Sequence, residues 1–192
     1  MNRTIVTLIA ILSLISFDLL AQPFEQVSVA IPGAGRPSIA WGDYDNDGDL
    51  DMVVTGQLSN DSYLSCIYRN DNGSFVADTN SLMGTKDGSA AWGDFDNDGD
   101  LDLLISGETE EDGNICLIYE NNDGSFDEYD AGLHGVGYGD ASWGDYDNDG
   151  DLDLMLAGQD ADGDAVSKLY QRTDTGFQEV YAGTFPNIEA VS

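Results

Sequence analysis

The sequence predicts an all-β protein built as a partial β-propeller, with blades of four short antiparallel strands. An aromatic pattern returns every 51 residues and places Trp41, Trp92 and Trp143 in phase. Each repeat also holds short β-branched and apolar runs between turn signals, and no helical periodicity follows residue 21. Four strands per repeat is the content of one blade. A β-sandwich has equally short strands, but it does not require its aromatic residues to return every 51 positions.

The first repeat shows the expected strands in order. Residues 50–57 and 62–70 are the two long apolar runs, and they are separated by a polar turn. Residues 74–78 follow an Asn-Gly pair, which is typical of a hairpin, and residues 88–92 lead into the next repeat. The later copies keep this plan, so the sequence predicts about three repeats of 51 residues.

Acidic residues dominate the composition. The 192-residue chain has 37 Asp and Glu against 6 Lys and Arg, which gives a net charge of −31. A hydrophobic fraction of 41% and an aromatic fraction of 10% argue against a disordered acidic chain. The charge repels phosphate backbones and anionic lipid headgroups, so nucleic acids and membrane surfaces are not expected as partners. Bound cations would offset the self-repulsion of a folded domain with this charge.

The N-terminus has the pattern of an export signal. Residues 1–21 contain one basic residue, Arg3, then an apolar run over 5–17, and end at the small residue Ala21. The alternative is a membrane anchor, but the run is shorter than the roughly 20 residues that a span needs, and Asp18 interrupts it. We expect a signal peptide over 1–21, a repeat region over 22–192, and a secreted or cell-surface protein with no membrane insertion after cleavage.

The two cysteines are predicted to remain separate, half-buried thiols. Cys66 and Cys116 lie 50 residues apart, one short of the repeat. They therefore occupy neighbouring repeat positions, whose side chains point to opposite faces of a sheet. Such thiols do not bridge easily, although export would permit a disulfide.

An aspartate-rich loop recurs once in each repeat. It has the pattern D-x-D-x-D-G-D-x-D and occupies residues 43–51, 94–102 and 145–153. Carboxylates at loop positions 1, 3 and 5 converge, Gly at position 6 permits a sharp turn, and position 7 can offer its carbonyl, which suits Ca²⁺. An EF-hand needs Glu at position 12, where Val54 and its equivalents stand, so the aspartate at position 9 must close the site.

These loops predict about three structural calcium ions, one in each loop. The alternatives are that Asp-Asn-Asp-Gly is only a good turn sequence, or that the ion is Mg²⁺. Transition metals would need nearby His or Cys, which the loops lack. The leucines at loop position 8 are expected to fix the loops to the core. The candidate metal-binding residues are the five aspartates of each loop: Asp43, Asp45, Asp47, Asp49 and Asp51; Asp94, Asp96, Asp98, Asp100 and Asp102; Asp145, Asp147, Asp149, Asp151 and Asp153.

The motif W-G-D-[YF]-D-N-D-G-D-L-D, followed by an aliphatic strand, a Tyr and G-x-F, resembles the FG-GAP/VCBS repeat. This repeat builds the N-terminal β-propeller of integrin α-subunits and occurs in many exported bacterial proteins and some lectins. The resemblance covers residues 24–192 and implies one blade per repeat, with calcium in the aspartate loops. It also implies a ligand set of side chains at loop positions 1, 3, 5 and 9 with the backbone carbonyl at position 7.

The resemblance implies a module that binds or adheres to an extracellular protein or glycan and performs no catalysis. Two alternatives remain open at this point. In the first, the chain is an accessory propeller of a larger extracellular, polysaccharide-active enzyme. In the second, it is a structural spacer. The single histidine, His134, has no counterpart in the other repeats and is expected to have no catalytic role. The repeated tryptophans are expected to pack between blades rather than to form a sugar-stacking stripe, and the cluster Asp160, Asp162 and Asp164 is expected to be an exposed turn.

The number of repeats departs from the family pattern. Family propellers close with about seven blades, whereas this sequence has three aspartate loops and ends two residues before the next expected tryptophan. We therefore expect a piece of a longer protein that continues into further blades. The alternatives are a degenerate terminal strand that pairs near Phe24, or an oligomer that completes the ring.

Overall fold

The structure is a computed structural model that describes residues 29–78 and 80–180. These residues contain twelve strands and no helix, and therefore no helix long and apolar enough to cross a membrane. The predicted signal peptide, Phe24 and the residues after 180 lie outside the described part. The strands are β1 (Gly35–Gly42), β2 (Asp51–Gln57), β3 (Tyr63–Asp71), β4 (Ser74–Ala77), β5 (Ala90–Gly93), β6 (Asp102–Glu108), β7 (Asn114–Asn122), β8 (Ser125–Tyr129), β9 (Gly137–Gly144), β10 (Asp153–Gln159), β11 (Ala165–Thr173) and β12 (Gly176–Val180).

The strands form three four-stranded antiparallel sheets, each with its strands in chain order. β1–β4 make the first sheet, β5–β8 the second and β9–β12 the third. This confirms the predicted all-β fold of four short strands per repeat. The first strands of neighbouring sheets contact each other, β1 with β5 and β5 with β9, as the inner strands of adjacent blades do. The three sheets do not close into a ring within the described residues.

The sheets pack face to face through their second strands. In β6, Leu103 and Ile105 face the first sheet, while Leu104 faces the third. All three side chains have 0% exposure. Because successive residues of a strand point to opposite faces, a strand covered on both sides reads as a continuous apolar run, which explains the sequence of β6.

The repeated tryptophans pack between sheets at two of the three positions. The ring of Trp92 stacks on Tyr44 of the preceding sheet at a centroid distance of 5.9 Å, and Trp143 stacks on Phe95 at 6.1 Å. The prediction is confirmed for these two residues. It is wrong for Trp41, which is 55% exposed and meets Phe75 edge-on at 6.0 Å, because no described sheet precedes the first one.

The burial of the leucines at loop position 8 also depends on a preceding sheet. Leu101 belongs to the apolar cluster between the first two sheets, and Leu152 lies close to Gly93 of the second sheet. Leu50, in contrast, is 58% exposed. These leucines therefore pack against the preceding sheet, and the expectation that each fixes its own loop to the core is wrong for Leu50.

The two cysteines are free thiols, as predicted. Cys66 is half-buried, as expected, against the outer cluster of the first sheet. The expected half-burial is wrong for Cys116, which is buried between the second and third sheets because the third sheet covers that face. Burial raises the pKa of the Cys116 thiol to about 12, so it stays protonated.

Candidate metal centres

Each aspartate loop connects the first and second strands of its sheet, and all three loops share one backbone conformation. Asn at loop position 4 adopts a left-handed φ of 57°, 63° and 61° in the three loops, and Gly at position 6 has φ of 94°, 101° and 98°. Asn tolerates this region better than other side chains do, and Gly enters it without strain. The Asn-Asp-Gly segment therefore folds the loop tightly in every repeat.

The loops bring three carboxylates together in each repeat, from positions 1, 3 and 9. One oxygen of each carboxylate lies within 4.8 Å of the others in its group. The carboxylate at position 9 is buried, and the other two are partly or fully exposed. The groups are Asp43, Asp45 and Asp51; Asp94, Asp96 and Asp102; Asp145, Asp147 and Asp153.

Backbone amides of the loop hold the aspartate at position 1. Asp43 accepts hydrogen bonds from the amides of Asp47 and Gly48, both at 3.0 Å. The same pair of contacts recurs at Asp94 and Asp145. Since each carboxylate oxygen has a second lone pair, the carboxylate remains able to bind a cation while the loop orients it.

The aspartate at position 9 fixes the loop to the sheet. Asp102 accepts hydrogen bonds from the amide of Phe95 at 2.8 Å and from the amide of Asn121, in the third strand, at 2.9 Å. Asp51 and Asp153 make the equivalent contacts. Burial raises the pKa of Asp102 to about 7, against the opposing effect of these two amides. The pKa of Asp51 is raised for the same reason.

Burial and a neighbouring charge both raise the pKa of the carboxyl group at loop position 3 in the first two loops. Burial raises the pKa of the Asp45 carboxyl, and the nearby charge of Asp47 adds to the effect. The pKa of Asp96 is also raised, again chiefly by burial. Like charges held this closely favour protonation or a bound cation.

The aspartates at positions 5 and 7 lie outside the three-carboxylate groups. At position 5, Asp47 accepts a hydrogen bond from the amide of Asp49 at 2.8 Å, and Asp98 accepts one from Asp100 at 2.9 Å. The structure therefore brings together nine of the fifteen predicted site residues. For position 5, the metal-binding role stays a prediction, and so does the carbonyl role of position 7.

A hydrogen bond that the sequence analysis missed joins neighbouring loops. The side-chain amide of Asn46 donates to the carboxylate of Asp100 at 2.8 Å, and Asn97 donates to Asp151 at 2.9 Å. The asparagine at position 4 of one loop is thus hydrogen-bonded to the aspartate at position 7 of the next loop. The sequence carried a signal for this contact, because Asn stands at position 4 in every copy.

The electrostatics of the loops fit a hard divalent cation. Within residues 29–78 and 80–180, no ion pair involves a loop aspartate; the acidic partners of Lys, Arg and His are Asp71, Asp87, Glu108, Asp160 and Glu179. No basic side chain therefore neutralises the grouped carboxylates by direct contact. The groups contain only carboxylate oxygens, which hard ions such as Ca²⁺ and Mg²⁺ prefer.

His134 and the acidic cluster around Asp160 lie outside the aspartate loops. His134 lies with its Nε2 atom 3.9 Å from a carboxylate oxygen of Asp160, in the loop before β9. The same Asp160 accepts hydrogen bonds from the amides of Asp162 and Asp164, which makes the cluster a hydrogen-bonded turn, as expected.

The fold and the loops together define a propeller-type repeat protein with one candidate cation site in each repeat. A family model described as the FG-GAP-like repeat matches the chain twice, over residues 43–105 and 94–156, which together span more than half of its length. The chain therefore belongs to the FG-GAP-like repeat family. A search among curated proteins found no match.

Proposed function

We propose that this protein is an exported, calcium-stabilised repeat module that binds an extracellular protein or glycan and performs no catalysis. The observation that carries the calcium part is the threefold convergence of carboxylates from loop positions 1, 3 and 9, none of which forms a direct ion pair with a basic side chain among the described residues. The family supports an extracellular role, and the acidic surface supports a location outside the cell.

Calcium suits these loops better than magnesium. Ca²⁺ takes six to eight oxygen ligands in flexible geometry, whereas Mg²⁺ demands an octahedral shell and keeps several waters. Each loop offers the three grouped carboxylates, and we propose that position 5 adds a further carboxylate and position 7 a backbone carbonyl. So many protein oxygens in one short loop favour the larger ion.

Isothermal titration of the metal-free chain with calcium tests this assignment. We expect about three ions per chain and a loss of one ion in each of the variants Asp51→Asn, Asp102→Asn and Asp153→Asn. Asp112→Asn, in an exposed turn, is the matched control and should keep all the sites. Binding of less than one calcium per chain, or equal affinity for magnesium, would contradict the proposal.

The proposal that the protein performs no catalysis rests on the ionisation state that calcium binding requires of the carboxylates. Calcium ligands must remain ionised, so the grouped aspartates do not serve as proton donors in hydrolysis. The single histidine lies beside Asp160 and outside the aspartate loops. Both features support a binding role in preference to a reaction centre.

A groove between the second and third sheets is a candidate surface for the partner. Its lining includes Glu108, Asn114, Asp160 and the 58% exposed ring of Tyr138. An exposed aromatic ring beside carboxylates and amides can cover a sugar ring and bond its hydroxyls, which supports the glycan version.

A glycan array probed with the purified chain, with Tyr138→Ala and with the control Val76→Ala tests that version. We expect the wild type and the control to bind the same glycans and Tyr138→Ala to lose them. Released sugar products would indicate an enzyme. A wild-type chain that binds no glycan would contradict the glycan version.

A further inference from the structure

Equivalent residues of the three repeats differ sharply in exposure, and the difference follows their position in the stack. Trp41 and Leu50 of the first sheet are 55% and 58% exposed, while their equivalents pack on a preceding sheet. Ile39 is 54% exposed, whereas its equivalent Ala90 is 8% exposed. Ile39, Trp41 and Leu50 therefore form one apolar surface, which we call the protruding face.

The third sheet carries the opposite feature. Tyr146 at loop position 2 is 44% exposed, whereas its equivalents Tyr44 and Phe95 are 2% and 1% exposed beneath the tryptophan of the next sheet. Together with Gly144 and Asn148 it forms what we call the receiving face.

Gly144 gives this face its shape. A Cβ atom at its equivalent Gly42 would lie 2.8 Å from the ring of Trp92, and one at Gly93 would lie 2.6 Å from the ring of Trp143. At Gly144, no described atom lies within 4 Å of such a Cβ. The glycine leaves room for an indole ring at every sheet, and at the third sheet no described residue fills that room.

The hydrogen-bonding groups of the two faces also complement each other. Asn46 and Asn97 donate to the aspartate at position 7 of the next loop. Among the described residues, the side chain of Asn148 makes no such bond, and Asp49 of the first loop has no asparagine of a preceding loop against it. The donor is on the receiving face, and the acceptor lies beside the protruding face.

From these features we infer that the receiving face binds the protruding face of a second copy of this chain, head to tail. Trp41 of one copy stacks on Tyr146 of the other and occupies the space above Gly144. Asn148 then donates to the partner copy's Asp49, as Asn46 donates to Asp100 within one chain. The contact is heterologous, so it closes a ring or extends into a chain of copies according to its rotation. It does not rest on the proposed calcium sites.

Light scattering and sedimentation of the purified full chain, at about 100 µM and 0.15 M salt, test the inference. We expect the wild type to associate, with a mass that rises with concentration. Gly144→Val should weaken association about tenfold or more, because its Cβ would meet no described atom within 4 Å and the side chain would occupy the space for the ring. Trp41→Ala should do the same. Val76→Ala, which removes a similarly exposed side chain from an outer strand, should associate like the wild type.

A mixture of the two variants separates this contact from other modes of association. The Gly144→Val chain keeps an intact protruding face, and the Trp41→Ala chain keeps an intact receiving face. The mixture should therefore form complexes that neither variant forms alone. A wild type that stays monomeric at about 100 µM overturns the inference. This holds also if another segment of the same chain covers the two faces. Variants that associate normally, or a mixture that does not restore association, also overturn it.

Discussion

The side-chain amide of Asn46 donates a hydrogen bond to the carboxylate of Asp100, 54 positions along the chain, at 2.8 Å. The contact joins one aspartate loop to the next and recurs from Asn97 to Asp151 at 2.9 Å. Each loop thus helps to orient its neighbour, so the loops form a connected row along one edge of the stacked sheets.

Removal of these contacts should destabilise the protein. We expect Asn46→Ala and Asn97→Ala each to lower the free energy of unfolding by about 1 kcal/mol, measured by urea denaturation. The matched control is Asn148→Ala, which removes an asparagine of the same left-handed conformation, φ 61°, but breaks no described inter-loop bond. Since the three variants share the backbone effect, their difference isolates the hydrogen bond. Equal losses in all three would contradict this account.

The glycines at the ends of the first strands should differ in their tolerance of a methyl group. We expect Gly93→Ala to cost about 1–3 kcal/mol in unfolding free energy, because its Cβ would lie 2.6 Å from Trp143. Gly42→Ala should behave similarly beside Trp92. Gly144→Ala should change stability by less than about 0.5 kcal/mol at concentrations where the chain is monomeric. A large loss at Gly144 would show that its surroundings in the folded chain are as crowded as those of Gly93.

Calcium should raise thermal stability in proportion to its occupancy of the loops. At about tenfold excess over the dissociation constant, three sites would add roughly 4 kcal/mol, if all bind only the folded chain. Melting in EDTA and in calcium, at matched ionic strength, measures this shift. A midpoint that calcium leaves unchanged would contradict the metal assignment.

The pH dependence of the calcium-free protein should carry the signature of Asp102. Burial raises its pKa to about 7, above the ordinary value of 3.8 for an unfolded aspartate. Its contribution to stability is therefore fully present below about pH 4 and is lost as the pH rises through 7, by at most about 1.4 kcal/mol per pH unit. Urea unfolding of the wild type and of Asp102→Asn across this range measures the difference. A parallel pH dependence in both proteins would contradict the shift.

Protons and calcium should compete for the same carboxylate. Because calcium needs the ionised form, its apparent affinity should fall as the pH drops below about 7, by up to tenfold per unit for one displaced proton. Titrations at several pH values follow this effect. An affinity that stays constant from pH 7 to pH 5 would place Asp102 outside the ion's ligand set.

Local pattern was sufficient to predict the sheets and much of the candidate site. The 51-residue period and the apolar runs predicted the strands because alternation and burial are properties of each repeat alone. The aspartates at loop positions 1 and 3 converge as expected, and position 9 joins them, whereas the carboxylate at position 5, which was also expected to converge, lies outside the groups. The two thiols are separate, since one residue of offset turns a side chain to the other face of a strand.

What depends on neighbouring repeats was harder to predict. Trp41 and Trp92 stand at the same repeat position, yet Trp41 is 55% exposed, because its environment is set by a preceding sheet and not by its own sequence. Leu50 differs from Leu101 for the same reason. The inter-loop bond of Asn46 was also missed, because turn propensity alone already explains an asparagine at that position.

The second sheet lies between the other two and is covered on both faces. Leu103, Leu104 and Ile105 of the second sheet are 0% exposed, whereas Met155 on the outer side of the third sheet is only partly covered. In a linear array, the stability of each unit is the sum of its own contacts and its interfaces with its neighbours, so a unit with two interfaces opens less readily than a unit with one. Among the three described sheets, only the second has two such interfaces, so we expect the amides of β6 to open to solvent last of those described.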